Sequence, residues 1–311
     1  MKEKMDMNLE NEISIIILNY FNYKLTTACV DNLLNLELES RIIIVDNNSQ
    51  NESYKYLKDY YRNTITVDVI KNNVNKGYAD GNNYGAKFAM DKYPNTKYIC
   101  IMNPDVIVSY RNIFSNLAYK IKIRKDVAAI SPIMLVNGKL DSKLMCWGTP
   151  TNKSIILDHL VFRKKYNTAP MKDIYPDKDG VAIVDVIPGS FFMIKVKSLL
   201  QVNMLDTGTF LYNEENILSL KLRNLNLNEA LSINDFYFHN HLENVKTKSL
   251  KDKINGNKIL YNSTSYLQKN FYKNNLAQLG LKIINLLNYV YIFSSHMPAK
   301  IKRKIQNKRK I

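Results

Sequence analysis

The clearest signal along the chain is short apolar runs alternating with stretches of helical period. Residues 13–18 (ISIIIL), 41–45 (RIIIV), 65–70 (ITVDVI) and 97–102 (KYICIM) are β-branched, bounded by polar turns, and short enough to be strands. Between the first two, Leu25, Ala28, Cys29, Leu33, Leu34 and Leu36 recur at helical spacing. Residues 51–61 also have helical period, and an Asn/Gly-rich turn over 72–85 leads into a helix reaching about Met90. Residues 140–180 show no period and hold the single tryptophan, Trp147. Strands return at 181–187 and 191–196, separated by Pro188-Gly189-Ser190, and a helix starts just after Tyr212. Between Leu276 and Phe293 the apolar residues Leu276, Leu279, Ile283, Leu286, Leu287, Val290 and Phe293 again fall at helical spacing. Strands alternating with helices predict an α/β domain with a mainly parallel sheet covered on both faces.

Such sheets bind ligands beyond the carboxyl ends of their strands. Four consecutive predicted strand ends here are polar: Asn19-Tyr20, Asp46, Asn72-Asn73 and Asn103-Pro104-Asp105. Four together suggest one site. Asp105 could hold a divalent cation, because hard cations take oxygen ligands; an Asx-turn explains the same three residues. The run Asn75 to Gly85 could bring backbone and a helix N-terminus to a phosphate, or could be a capped turn. Glu214 and Glu215 at a helix start suit the helix dipole, or supply a general base. Phe238-His239-Asn240-His241 could place imidazole at a metal, or hold a buried histidine.

Taken together, these segments resemble the family-2 glycosyltransferases of the GT-A fold, closest to the rhamnosyltransferase-like branch of bacterial surface-polysaccharide synthesis. The resemblance covers about residues 13–250, in order. Ile16 to Tyr20 is similar to the opening strand, and Val45-Asp46-Asn47-Asn48-Ser49 to VDNxS. Asn75 to Gly85 resembles NxGxxxGNNxG, and Met102 to Asp105 the LNPD form of DxD. Pro188-Gly189-Ser190 matches the acceptor-side turn, and Leu211 to Glu215 matches LYxED. Asn103 stands where a strict DxD has an acid, Glu215 where Asp is usual, and Ile217 where a second acid is common. Phe21 interrupts the usual NYN, and Asp80 occupies a position often small or apolar.

The resemblance implies an inverting transfer from a UDP- or dTDP-linked sugar to a hydroxyl of a lipid-linked oligosaccharide, in capsule, O-antigen or cell-wall polysaccharide synthesis. Glu215 would be the base, with Glu214 second. Asn19, Tyr20, Asp46, Asn48, Gly77, Tyr78, Gly81, Asn82, Asn83 and Asn103 would bind the donor, Asp46 at the base. Trp147, Gly189 and Ser190 would face the acceptor. Asp105, Asn103 and His239 (preferred over His241) would hold Mg2+ or Mn2+. A catalytically inactive GT-A subunit of a membrane-associated complex is the competing reading.

Charge adds a location. The net charge is +16, yet residues 242–311 hold fifteen Lys/Arg against two acids, +13 of the total. Seven of those basic residues lie between Lys300 and Lys310 without an acid among them. A basic, apolar-striped C-terminal end predicts attachment to an anionic membrane surface, peripheral at the cytoplasmic face. The expected division is a tail at 1–12, the GT-A domain at 13–250 and a basic helical extension at 251–311. No apolar run precedes Ile13, so a leader is not expected; no stretch reaches eighteen uncharged apolar residues, so neither is a span. Three scattered cysteines fit a reducing compartment. Nucleic acid is not an expected partner, and a homo-oligomer is compatible with everything above.

Overall fold

The computed structural model describes residues 7–141, 145–160, 174–239 and 249–295. His241 and the basic run from Lys300 to Lys310 lie outside them. The chain separates into two compact units: Met1–Thr149 with Ala169–Glu243, and Pro150–Thr168 with Asn244–Ile311.

In the first unit the ten strands are β1 (Ile13–Asn19), β2 (Arg41–Asn47), β3 (Val67–Asn72), β4 (Tyr98–Met102), β5 (Val106–Ile107), β6 (Val127–Val136), β7 (Lys139–Leu140), β8 (Val181–Val184), β9 (Phe191–Lys195) and β10 (Asn228–His239). The helices are α1 (Tyr23–Leu34), α2 (Ser53–Tyr60), α3 (Tyr78–Lys92), α4 (Ile113–Ile123), α6 (Val196–Gln201) and α7 (Glu214–Arg223). In the second unit lie α5 (Asn152–Asp158), α8 (Leu250–Leu267) and α9 (Asn275–Ser295).

One sheet runs in the order β3-β2-β1-β4-β9-β6-β10-β5, with β7 added on β6 and β8 on β10. The first four strands are parallel. β9 then enters antiparallel between β4 and β6, so the second half of the sheet is mixed. The sheet is the α/β architecture the sequence predicted, parallel in its first half and mixed in its second.

The apolar runs of β1 and β2 are continuous because both faces are covered. Ile15, Ile17, Ile42 and Ile44 face a core that includes Val30 and Leu33 of α1, Leu57 of α2 and Phe114 of α4. Ile16, Ile43 and Val45 face the opposite core, with Ala79, Ala86 and Ala89 of α3 and Leu218 and Leu222 of α7. Each of these strands thus alternates its side chains between two layers.

β10 is longer than any sequence run suggested, because Asn234-Asp235 interrupts its apolar pattern. Its register against β6 shifts between Ser232 and Phe236, a bulge. Beneath the bulge the Lys120 ammonium meets Asp235 at 2.9 Å, with both side chains buried. Past the bulge the strand pairs with both β6 and β5, and His239 comes opposite Val106. β8 stops at Val184, short of the expected 187. Val186 instead exchanges two backbone hydrogen bonds with Trp147. The expected irregular stretch at 140–180 contains β7 and α5.

Candidate functional site: a cleft and a two-carboxyl pocket

A cleft of about 380 Å3 opens at the carboxyl ends of β1, β2 and β4. Its walls include Leu18, Tyr20, Thr26, Asn47, Asn75, Gly77, Tyr78, Asn103, Pro104, Asp105, Phe210 and Leu211. At one end, Asp105 Oδ1 lies 3.1 Å from His239 Nε2. The β10 bulge makes this meeting possible, since it fixes which residue of β10 arrives beside Val106. A carboxylate, an imidazole and the nearby Asn103 make a mixed oxygen and nitrogen donor set that could hold a divalent cation.

The glycine at 77 is a geometric requirement. Its φ is +112°, and a Cβ there would overlap the backbone of Phe210. The Tyr78 N–H donates to the Phe210 carbonyl at 3.0 Å, so the loop before α7 lies directly against the start of α3. That loop carries Tyr212 and Asn213 in the left-handed region, φ 77° and 71°. Non-glycine residues there are uncommon and mark a turn held by its surroundings. It aims the first turn of α7.

Behind the cleft lies a small pocket walled by Tyr78, Ile187, Gly189, Phe192, Leu205, Glu214, Glu215, Leu218 and Glu229. Gly189 sits over Glu215 with no room for a side chain, and its N–H donates to that carboxyl. The Gly189 carbonyl accepts from the Tyr78 hydroxyl at 2.6 Å. Burial raises the Glu215 carboxyl above the usual range. Burial, then the charge of Glu215, pushes Glu214 up to about 8. Glu229, 2% exposed, accepts from the Ile187 N–H at 2.9 Å and is raised well above the usual range, chiefly by burial. Burial also raises the Tyr78 hydroxyl, with the Glu215 charge next. Tyr78 belongs to both walls, so cleft and pocket meet at one ring.

The expected donor residues divide in two. Tyr20, Gly77, Tyr78 and Asn103 line the cleft. Asn19, Asp46, Asn48, Gly81, Asn82 and Asn83 do not. Asp46 is fully buried; its carboxylate accepts from Asn19 Nδ2 at 2.8 Å and from the Ser49 N–H at 3.0 Å. It ties the ends of β1 and β2 together. Asn83 grips Leu205, donating to its carbonyl and accepting from its N–H. Asn82 donates to the Tyr78 carbonyl. A Cβ on Gly81 would strike Leu18, so that glycine serves close helix–sheet approach.

On the expected acceptor side, Gly189 touches Glu215, and the Ser190 hydroxyl is 2.6 Å from that of Tyr237. Trp147 Nε1 donates to Asn216 of α7 at 2.8 Å. Sequence reasoning placed Asn47, Asn75 and Leu211 inside motif segments without giving them a role, and gave none to Thr26 or Phe210; Asn47 and Asn75 are joined by a 3.0 Å hydrogen bond beside Gly77.

Comparison with known proteins agrees with this architecture. Residues 14–173 match the model of glycosyl transferase family 2, and the chain belongs to that family. It is 26% identical over 227 residues to the low-salt glycan biosynthesis hexosyltransferase Agl10 of Haloferax volcanii, covering 72% of this chain and 66% of that protein. It is 25% identical over 214 residues to the rhamnosyltransferase WbbL of Escherichia coli, covering 68% and 76%. Among solved structures it is similar to GalNAc-T7 with UDP, GalNAc and Mn2+. The TM-score is 0.59 at 14% identity, over 92% of this chain and 58% of that one. The chain thus spans less than two thirds of the length of Agl10 and of the solved GalNAc-T7 chain.

Proposed function

We propose that this protein transfers a sugar from a nucleoside diphosphate to a hydroxyl of a lipid-linked saccharide, with inversion, in surface-glycan synthesis. UDP- and dTDP-linked sugars are the expected donors. The observation that carries the reading is the continuity of cleft and pocket through Tyr78. A donor-sized cleft ending at Asp105 and His239 adjoins a pocket with carboxyls of raised pKa.

In this reading the residues divide the work. Tyr20, Asn47, Asn75 and Gly77 hold the nucleotide in the cleft. Glu215 takes the proton of the acceptor hydroxyl as that oxygen attacks the anomeric carbon. The bond from that carbon to the diphosphate oxygen breaks, and the nucleoside diphosphate leaves. A hydroxyl is a weak nucleophile at neutral pH, so a base of raised pKa suits the task. Burial, then the charge of Glu215, favours the neutral form of Glu214 beside that base. Asp105, His239 and Asn103 would hold Mg2+ or Mn2+, which when bound supplies positive charge against the diphosphate. Gly189, Ser190 and Trp147 border the acceptor side. The acceptor's lipid would place the enzyme peripherally at the inner face of the cytoplasmic membrane.

The test separates binding from chemistry. Thermal melting with UDP, dTDP or GDP, each with and without Mn2+, should show one metal-dependent rise, because a ligand of the folded state stabilises it. Glu215→Gln should keep that rise and lose about 10²–10⁴ in transfer rate. A rise with no transfer activity to lose would favour a binding subunit. No rise with any nucleotide would sink the donor site.

A further inference from the structure

The apolar stripe of α9 does not face the protein. Leu276, Leu279, Ile283, Leu286, Leu287, Val290, Tyr291 and Phe293 are all exposed, Leu276 at 82% and Leu286 at 66%. At 3.6 residues per turn they fill an arc of about 160°. The only charge on the helix is Lys282. The opposite face is the packed one: Ala277, Leu281, Asn288 and Ile292 are buried, and α9 lies against α8 and α5.

By length and composition, α9 is apolar enough to cross a membrane. The packed face argues for a different placement. Asn288 donates to the His159 carbonyl at 2.6 Å and to Asn257 Oδ1 at 3.2 Å, and Asn257 donates to Asn285 at 2.8 Å. These amides fasten α9 to α8 and to the end of α5. α8 carries exposed Lys251, Lys253 and Lys258, which hydrocarbon would not accept. A spanning α9 would have to leave its neighbours and expose its own asparagines to lipid.

We propose that α9 lies in the plane of a membrane, its exposed apolar arc sunk into one leaflet of anionic lipid while its asparagine face stays on α8. Charge selects this occupant. Residues 242–311 carry +13, with seven basic residues from Lys300 to Lys310. A second copy of the chain would bring two such segments together against their repulsion, whereas anionic lipid attracts both the tail and the α8 lysines. The proposal deepens the lipid-linked half of the proposed function and rests on that reading only for its purpose, since membrane docking is measured without any sugar.

The test is flotation of the full chain with phosphatidylcholine vesicles, with and without about 30% phosphatidylglycerol as the anionic component. The chain should float with the anionic vesicles only, and alkaline carbonate should release it. Leu279→Ser/Leu286→Ser/Val290→Ser keeps every charge and every packed residue. It should lower partitioning about tenfold or more, because apolar area drives insertion. Equal flotation of this variant would overturn the proposal in favour of the basic tail alone. Retention after carbonate would overturn it in favour of a span. A dimer in light scattering that the variant dissolves, with no flotation of either, would overturn it in favour of a second copy. Nucleotide-dependent melting of both proteins controls for folding. Its absence beside intact flotation would sink the donor site and leave this proposal standing.

Discussion

At the scale of single residues, the site is built from groups whose partners are already fixed. Asp105 and His239 come together across 134 positions of sequence, a pair that the family resemblance implied and no local pattern could. Asp105→Asn should abolish the Mn2+-dependent part of nucleotide stabilisation while leaving the melting temperature of the free protein nearly unchanged. Gly77→Ala meets both a positive φ and the Phe210 backbone. It should cost about 1–3 kcal/mol in denaturant unfolding and weaken nucleotide binding with it. Glu229 gives a prediction with a sign. Its folded-state pKa is raised, so its contribution to stability is present below its unfolded value and is lost as pH rises. Glu229→Gln should therefore melt near the parent at pH 4 and above it at pH 8. An equal offset at both values would show that the carboxyl does not stay protonated on folding.

At the scale of elements, what the sequence revealed depended on whether local pattern and tertiary role coincide. β1 and β2 were legible because burial on both faces leaves a continuous β-branched run. β10 was legible only near its end, since the bulge and the Lys120–Asp235 pair break its pattern with polar residues that make sense only against α4. α8 was expected only as part of a basic helical extension, without bounds of its own, because its apolar residues are spaced among lysines and asparagines. Strand ends pointed to the rim of the site, yet a strand end does not say which way a side chain turns. Asp46 and Asn19 turn inward to each other, while Asn47, next in the chain, lines the cleft. Asn83 shows the same effect on a helix. Its amide brackets the Leu205 backbone, so Asn83→Ala should cost about 1–3 kcal/mol by leaving two buried backbone groups without it. An unchanged denaturation midpoint would show that the loop repacks at no cost.

At the scale of the whole molecule, the charge is divided as the structure is. The unit with the cleft is held by two apolar layers around one sheet, and the excess of basic residues belongs to the C-terminal segment. The sequence placed an apolar stripe at 276–293, and the structure adds that the stripe faces outward. Periodicity alone could not decide this, because an apolar arc looks the same whether it meets a core or a bilayer. The consequence is measurable in salt. Association with anionic vesicles should weaken steeply as salt rises, since screening acts on the lysines whose attraction brings the apolar arc to the surface.

Tyr78 stands in the wall of the cleft and in the wall of the carboxyl pocket, with its hydroxyl on the Gly189 carbonyl. A side chain shared by two compartments would couple their occupancy wherever a ligand moves it. If a nucleotide displaces the ring, it also changes the room above Glu215, and whatever fills that room changes the affinity for nucleotide by the same factor. Such reciprocity would appear in equilibrium titrations: the factor by which the second ligand changes nucleotide affinity should equal the factor by which nucleotide changes the affinity for that ligand.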